Sequence, residues 1–506
     1  MFCSVHSGGL RGIESFPVNV ETDISSGMPG FDIVGFVANE VREAKERVRT
    51  ALKNAGYPFP VARITVNLSP GDVKKSGTAF DLPIALSVLS CMEEVDAKKL
   101  DDVFVAGELS LSGDVVATKG ILPMILMAKK RGIKRCIVPM ANREEGSVVE
   151  DILVYGVTTL EETVSFLKGV KIIEPMKSGP RQESSACNEY EYDFVRIHGQ
   201  EMARRGAEIA AAGLHNMLMI GPPGAGKTLI AKCIPSILPP LDKEECLEVS
   251  AIYSVRGALT PGETLITRRP FVAAHSSSTD ISLVGGGLVP RPGAVSLAHK
   301  GVLFLDEIPE FSRKTLEALR QPLEDGRVLI TRNRDICVFP SDFMLVAAAN
   351  PCPCGHYPDM NKCTCDISRR TRYLSKISGP FLDRMDLCIH ADKVTPAQIR
   401  SPRIPEDSAS IRKRVMAAHE IQKKRFSQTP ILFNSQMGNR QIEEFCALGK
   451  VQEALMNELA QKYEMSARTY YRMLKVARTI SDLAGSETIT EEALLEAVRL
   501  KSSVLV

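Results

Sequence analysis

The hydrophobic positions of this chain change rhythm along its length. In residues 1–172, short apolar runs alternate with amphipathic ones. Val61–Leu68 has the period of a half-buried strand, Glu40–Asn54 the spacing of a charged helix, and Asp81–Cys91 the composition of a buried helix. Arg135–Pro139 and Ile152–Tyr155 read as further strands. Residues 173–194 lose this patterning: Pro175, Ser178-Gly-Pro180 and a polar, acidic run have linker composition. Within 195–392, the unbroken apolar runs Leu218–Ile220, Val302–Leu305 and Phe343–Ala349 read as buried strands. From 396 to 506 apolar residues recur three and four apart, predicting helices over Ser410–Arg425, Arg440–Leu448, Val451–Tyr463, Ala467–Leu483 and Thr490–Leu500. The pattern predicts an α/β protein with an α/β unit, a linker, a parallel-sheet domain and a helical domain.

Chemistry sharpens the picture at the first run of the central domain. Leu218–Ile220 leads into Gly221-Pro222-Pro223-Gly224-Ala225-Gly226-Lys227-Thr228, which meets the G-x-x-x-x-G-K-[ST] pattern between a strand and a helix. Such a loop turns backbone N–H groups inward around phosphate oxygens at a helix N-terminus. Lys227 is placed for the β- and γ-phosphates and Thr228 for Mg²⁺. The run Val302–Leu305 ends in Asp306-Glu307, two acids at the carboxyl end of a strand, where open α/β sheets bind ligands. Asp306 is expected to complete the Mg²⁺ shell and Glu307 to activate water. Phe343–Ala349 ends in Asn350, either a partner for water or γ-phosphate or a turn residue before Pro351. Arg384 lies between Asp383 and Asp386: either a surface ion pair of little worth, or a finger for a neighbouring subunit's γ-phosphate. Arg468, at a helix start, is a second candidate phosphate-reading arginine.

Composition adds exclusions. The chain has 506 residues, 44% hydrophobic and 25% charged, with 63 basic against 61 acidic residues. That length predicts several domains, and the balance leaves any nucleic-acid contact to a local patch. No apolar run approaches the roughly 20 residues of a membrane span, and no secretory signal pattern opens the chain, so the expectation is a cytoplasmic protein without membrane contact. Its 13 cysteines then read as thiols or metal ligands. Four of them, Cys352, Cys354, Cys363 and Cys365, fall in two C-x-C pairs. They form either a closed, structural Zn²⁺ site or a loop packed by thiols.

Phosphate loop, acid strand, asparagine strand, arginine and helical lid, in that order, resemble the AAA+ ATPases. More narrowly the chain resembles the magnesium-chelatase-like group of the ComM/YifB type, through Ala210–Gly224, Pro292–Glu307, Asn350–Gly355 and Ser378–Arg384. The resemblance implies an AAA+ ATPase core over 195–392 and a C-terminal helical lid over 396–506. It also implies a ring, expected to be hexameric, with ATP and Mg²⁺ at subunit interfaces. Asn350 then takes the sensor-1 role, Arg384 the finger and Arg468 the sensor-2 role. The implied activity is ATP hydrolysis that drives branch migration or unwinding of DNA, single-stranded or branched, during recombination of incoming DNA. Metal insertion by a magnesium chelatase is the rival, with a scaffold ATPase as the other alternative. Against the chelatase, that subunit is expected to resemble residues 195–506 alone. The chain departs from its relatives at Arg269–Ser276 and at Ala294, outside the hydrolytic set.

Two segments, an inserted loop or hairpin and a second hairpin, are places where DNA could touch, with Arg332 and Arg334 the contact candidates. Val284–Gly293 reads as an insert, and Arg327–Phe339 as apolar strands around a polar turn whose Arg332 and Arg334 are either phosphate contacts or solvated charges. Lys423-Lys-Arg425 reads as a solvated helix end. Residues 1–172 resemble the Lon-protease-like domain through Ser69–Asp81 and Gly113–Leu122. In that register Thr78 stands at the serine position and Leu122 at the lysine position, with Lys119 three residues away. The alternatives are a Thr78–Lys119 nucleophile–base dyad and, as the expected reading, a fold kept for assembly or DNA handling without proteolysis.

Overall fold

The computed structural model describes residues 1–176, 190–259, 264–287, 289–332, 335–399 and 405–502. Its N-terminal part is a seven-stranded mixed sheet. In spatial order the strands are Gly30–Val34, Arg63–Ser69, Glu14–Ser25, Phe2–Arg11, Val103–Val105, Arg135–Pro139 and Leu153–Val157. Phe2–Arg11 and Glu14–Ser25 pair antiparallel over their lengths, a hairpin for which the apolar rhythm gave no warning. Gly8, Gly9 and Pro17 interrupt its alternation. The Asp81–Cys91 helix is buried at every position, as its composition predicts. The cost of burying Asp81 is offset by Arg47, which donates to both carboxylate oxygens at 2.7 and 2.9 Å. The predicted 40–54 helix forms in two pieces, Asn39–Arg42 and Ala44–Asn54, flanking Glu43.

The central part is a five-stranded sheet ordered Phe271–Ala274, Val302–Leu305, Met344–Ala349, Met217–Ile220, Leu387–His390. Every pairing within it is parallel. Continuous apolar runs suit strands covered on both faces. Val302, Leu303, Phe304 and Leu305 are all buried, each contributing about 2 kcal/mol of apolar burial. One face shares a core with the C-terminal helices: Met217, Phe304 and Val346 belong with Val415, Leu474 and Leu494. Those helices are Ser408–Arg425, Asn439–Phe445, Lys450–Lys462, Ala467–Leu483 and Glu491–Ser502, close to the periodicity. Gln422 ties the layers by donating to the Ala212 carbonyl at 2.8 Å.

The N-terminal unit docks on the central one through the Lys243–Arg256 helix. Ser254 donates from its hydroxyl to the buried Glu145 carboxylate and accepts at its carbonyl from Gly120 N at 3.1 Å. The N-terminal hairpin turn also meets the central unit, because a Cβ on Gly12 would lie 3.3 Å from the Val338 carbonyl. Among the described residues no helix is long and apolar enough to cross a membrane.

Both hairpins form. Gly285–Gly286 pairs with Arg291–Pro292, and Arg327–Arg332 with Asp335–Pro340. Arg334 and Asn333 lie outside the described residues, as does the side chain of Arg332. The linker expectation likewise falls mostly outside them, on 177–189. The solvated reading of Lys423-Lys-Arg425 fails at Arg425, which pairs with Asp482 at 2.5 and 2.7 Å and with Asn434 at 3.0 Å. Helical spacing turns that one residue of the three inward.

Candidate nucleotide site

Parallel pairing puts the carboxyl ends of three strands side by side. Ile220 is level with Ala349, and Ala347 with Leu305, so Gly221, Asn350 and Asp306 leave the same edge of the sheet. Gly224 and Gly226 adopt positive φ of 78° and 83°, the left-handed turn that lets the loop fold back onto its helix. The helix begins at Lys227. Lys227 Nζ, buried, donates to the carbonyls of Gly221 at 2.5 Å and Pro222 at 3.0 Å, and to Asn350 Oδ1 at 3.1 Å. Burial lowers its pKa, while Asp306 and Glu307 work in the other direction. Thr228 donates to Asp306 Oδ2 at 2.9 Å, and Glu307 N to Asp306 Oδ1 at 3.0 Å. Glu307 itself sits at φ 51°, a left-handed conformation uncommon for a residue with a side chain, and is exposed.

The hard oxygen donors of Thr228 and Asp306 thus stand together at the start of a helix, the oxygen set and charge that suit Mg²⁺. Gly221 to Thr228, Asp306, Glu307 and Asn350 are all brought to one edge. The two arginines are not. Arg384 lies three residues before Leu387, which pairs with Met217 at the amino end of the strands. A four-residue strand spans about 10 Å, so Arg384 is a strand's length from its own phosphate loop. Its side chain, 3% exposed, is held by the Pro380 carbonyl at 2.5 Å and by the Glu324 carboxylate. Arg468 reaches the same Glu324 oxygen at 3.4 Å. Arg472 binds Asp386 at 2.5 Å, and Asp386 also accepts from Asn216 N at 3.0 Å and faces His215 Nδ1 at 3.5 Å.

Residues without a motif complete the carboxyl edge. A cavity of about 860 Å³ is lined by Gln200, Arg204, His390, Lys393 and Arg414 among others. It adjoins the loop because Gln200 Nε2 donates to the Ala225 carbonyl at 2.8 Å. Its size and position suit the nucleoside portion of a ligand whose phosphates rest on the loop. Arg269 is buried and donates to Pro239 O at 2.5 Å, Lys300 O at 2.7 Å and Glu245 at 3.1 Å. It staples the core.

The four cysteine sulfurs all lie within 4.8 Å of one another. Farther away, Thr78 donates to Glu108, whereas the Lys119 stem lies over Gly257, where a Cβ would come within 2.7 Å of its Cε. Among the described residues Thr78 and Lys119 thus have separate partners, and no hydrogen bond joins them as nucleophile and base.

Residues 193–399 match the family model described as magnesium chelatase, subunit ChlI, and 405–501 the model of that subunit's C-terminal part. Over 500 residues the chain is 40% identical to the uncharacterized protein YifB of Escherichia coli, covering 98% of this chain and 96% of that one. It is 39% identical over 504 residues to the competence protein ComM of Haemophilus influenzae, covering 99% and 97%. The chain belongs to the magnesium-chelatase-like ComM/YifB family. It therefore carries that family's ATPase domain. Its N-terminal part is 28% identical over 142 residues to a Lon protease of Trichlorobacter lovleyi, 27% of this chain and 17% of that protein. Residues 20–142 also match a model described as subunit ChlI of Mg-chelatase. That match corrects the expectation that only residues 195–506 carry a chelatase resemblance.

Proposed function

We propose that this chain is an ATP-hydrolysing motor that works on DNA as a ring of identical subunits. The observation that carries the reading is the division of the site between opposite edges of one sheet. Lys227, Thr228, Asp306, Glu307 and Asn350 stand at the carboxyl edge, and Arg384 and Arg468 converge on Glu324 at the amino edge. A subunit so built supplies its arginines to a neighbour's nucleotide. Lys227 holds the β- and γ-phosphates, and Mg²⁺ at Thr228 and Asp306 would offset phosphate charge. Glu307 takes the proton of the attacking water, and Asn350 orients it. Arg384, released from Glu324, and Arg468 stabilise the charge that develops on the γ-phosphoryl group. A structural zinc ion on Cys352, Cys354, Cys363 and Cys365 completes the cofactor set.

Work on DNA is supported by the relative named as a competence protein and by the Arg327–Pro340 hairpin, which leaves the core beside the asparagine strand. In a ring it would carry Arg332 and Arg334 to phosphates in the pore. The family models named for magnesium chelatase favour a second reading, an ATPase that drives metal insertion. ATP turnover with and without forked or single-stranded DNA, paired with strand displacement, separates the two. The motor reading expects stimulation and displacement; an assembled ring that turns over ATP indifferently to DNA and displaces nothing overturns it. Glu307→Gln is expected to retain ATP binding and lower turnover by about 10³-fold, within the range for losing a general base.

A further inference from the structure

The cysteine loop touches the phosphate loop. The asparagine strand ends at Ala349, Asn350 bonds Lys227, and Cys352, two residues on, is fully buried. Gly355 N donates to the Cys352 carbonyl at 3.0 Å, closing a turn between the first cysteine pair and the chain beyond. That turn leans on Pro223. A Cβ on Gly355 would lie 2.7 Å from both Pro223 Cδ and Cγ, so the backbone of one loop rests against the ring of the other. The second pair is brought back by Asp359, whose N–H meets the His356 carbonyl at 2.9 Å and whose carbonyl accepts from Cys363 N at 2.8 Å.

The sulfurs have the spacing of a metal site. Cys352 to Cys354, Cys352 to Cys363 and Cys354 to Cys363 measure 3.4, 3.8 and 3.7 Å. A tetrahedral Zn²⁺ with bonds of about 2.3 Å sets its sulfur ligands about 3.8 Å apart. All four thiols are free of disulfides. Four sulfur ligands leave no open position, which makes such a centre structural.

We propose that zinc bound by Cys352, Cys354, Cys363 and Cys365 braces the phosphate loop through Gly355 and Pro223, so that zinc binding and nucleotide binding are energetically coupled. It rests on the reading of residues 221–228 as a nucleotide site. Zinc fixes the loop in the conformation that buttresses Pro223 and carries Asn350 toward Lys227. Without zinc that order is lost, and nucleotide must restore it out of its own binding energy. Coupling between two sites is reciprocal. Nucleotide must therefore tighten zinc by the factor by which zinc tightens nucleotide.

The test uses the full chain. Elemental analysis is expected to find one zinc per chain, and its absence from protein refolded with zinc would overturn the assignment. Nucleotide affinity is then measured with a fluorescent ADP analogue on zinc-loaded protein and after chelation, Mg²⁺ being resupplied. The expected loss on chelation is about tenfold, an ordinary coupling between sites, and is reversed by added zinc. Competition against a chelator dye on intact protein, with and without a non-hydrolysable ATP analogue, is expected to show zinc tightened by the same factor. This second measurement needs no variant and no zinc-free protein. Pro223→Ala is expected to keep zinc and shrink both effects. Zinc-loaded protein that binds no nucleotide overturns the nucleotide-site reading and this coupling with it. Nucleotide binding indifferent to zinc overturns the coupling alone.

Discussion

Asp306 and Glu307 at the carboxyl edge of the central sheet and Asp386 at its amino edge use charge in opposite ways. At the carboxyl edge Thr228 and Glu307 are exposed, Asp306 is half-buried, and the acids bond to groups that belong to the phosphate loop or to each other. At the amino edge Arg384 and Asp386 are buried and each is held by several partners. Charges left near solvent have low desolvation cost and remain available to a ligand. Charges buried with partners hold the fold in place, since removing one partner strands the other in a low-dielectric interior. Arg384 belongs to both categories on the proposed reading. It is packed like a structural residue, yet its carboxylate partner Glu324 is one a phosphate can replace.

Whether the two edges serve one nucleotide or two decides what Arg384 does. Arg384→Ala is expected to lower turnover by about 10³-fold with ATP binding retained, the low end of what a phosphate-directed arginine contributes. Glu307→Gln subunits are equally inactive on the proposed reading. An equimolar mixture is expected to regain a substantial fraction of wild-type turnover. An Arg384→Ala subunit keeps a complete carboxyl edge, and a Glu307→Gln neighbour supplies the arginine. Turnover measured after mixing and reassembly decides it. If both residues acted on the nucleotide of their own subunit, no mixture would recover.

Asn350 offers a smaller effect at the carboxyl edge. Its Oδ1 accepts from Lys227, so it orients the ammonium as well as any water. Asn350→Ala is expected to reduce turnover by about 10²-fold, the usual cost of one oriented polar group near a transition state. ATP affinity should change little, because Lys227 keeps its loop partners. A loss expressed wholly in affinity would make Asn350 a part of the binding loop and nothing more.

The carboxyl edge was largely legible in the sequence, and the amino edge was not. A phosphate loop demands particular residues at consecutive positions, so Gly221–Thr228 can be read directly, and Asp306-Glu307 follow an apolar run that only a buried strand explains. The cavity beside the phosphate loop is assembled from residues near 200, 390 and 410, mostly polar side chains without a shared spacing. Glu324 is one acid among 61 Asp and Glu residues, and only packing shows that Arg384 and Arg468 share it. The helices of the last domain were visible because each buries one face. The Phe2–Ser25 hairpin was hidden because glycine and proline blur its alternation. Arg269 and Arg425 look like surface charges in sequence, and their buried partners come from distant segments.

The least of these effects on turnover, and the clearest on stability, should come from Asp386. Burial alone would raise its pKa, but the Arg472 guanidinium and His215 outweigh burial and hold the carboxyl below the ordinary range. A carboxyl depressed in the folded state stabilises the fold above its unfolded pKa and loses that contribution as pH falls through the folded one. Asp386→Asn is therefore expected to destabilise the protein by about 3 kcal/mol at neutral pH, as when one partner of a buried ion pair is removed. The gap from wild type is full above about pH 4, the ordinary carboxyl value, and narrows in stronger acid. Asp306→Asn, at the other edge, should leave the unfolding free energy within about 0.5 kcal/mol of wild type while abolishing turnover. Urea melts of the two variants across pH test the contrast. Equal destabilisation by both would show that the edges do not divide charge between ligand and fold.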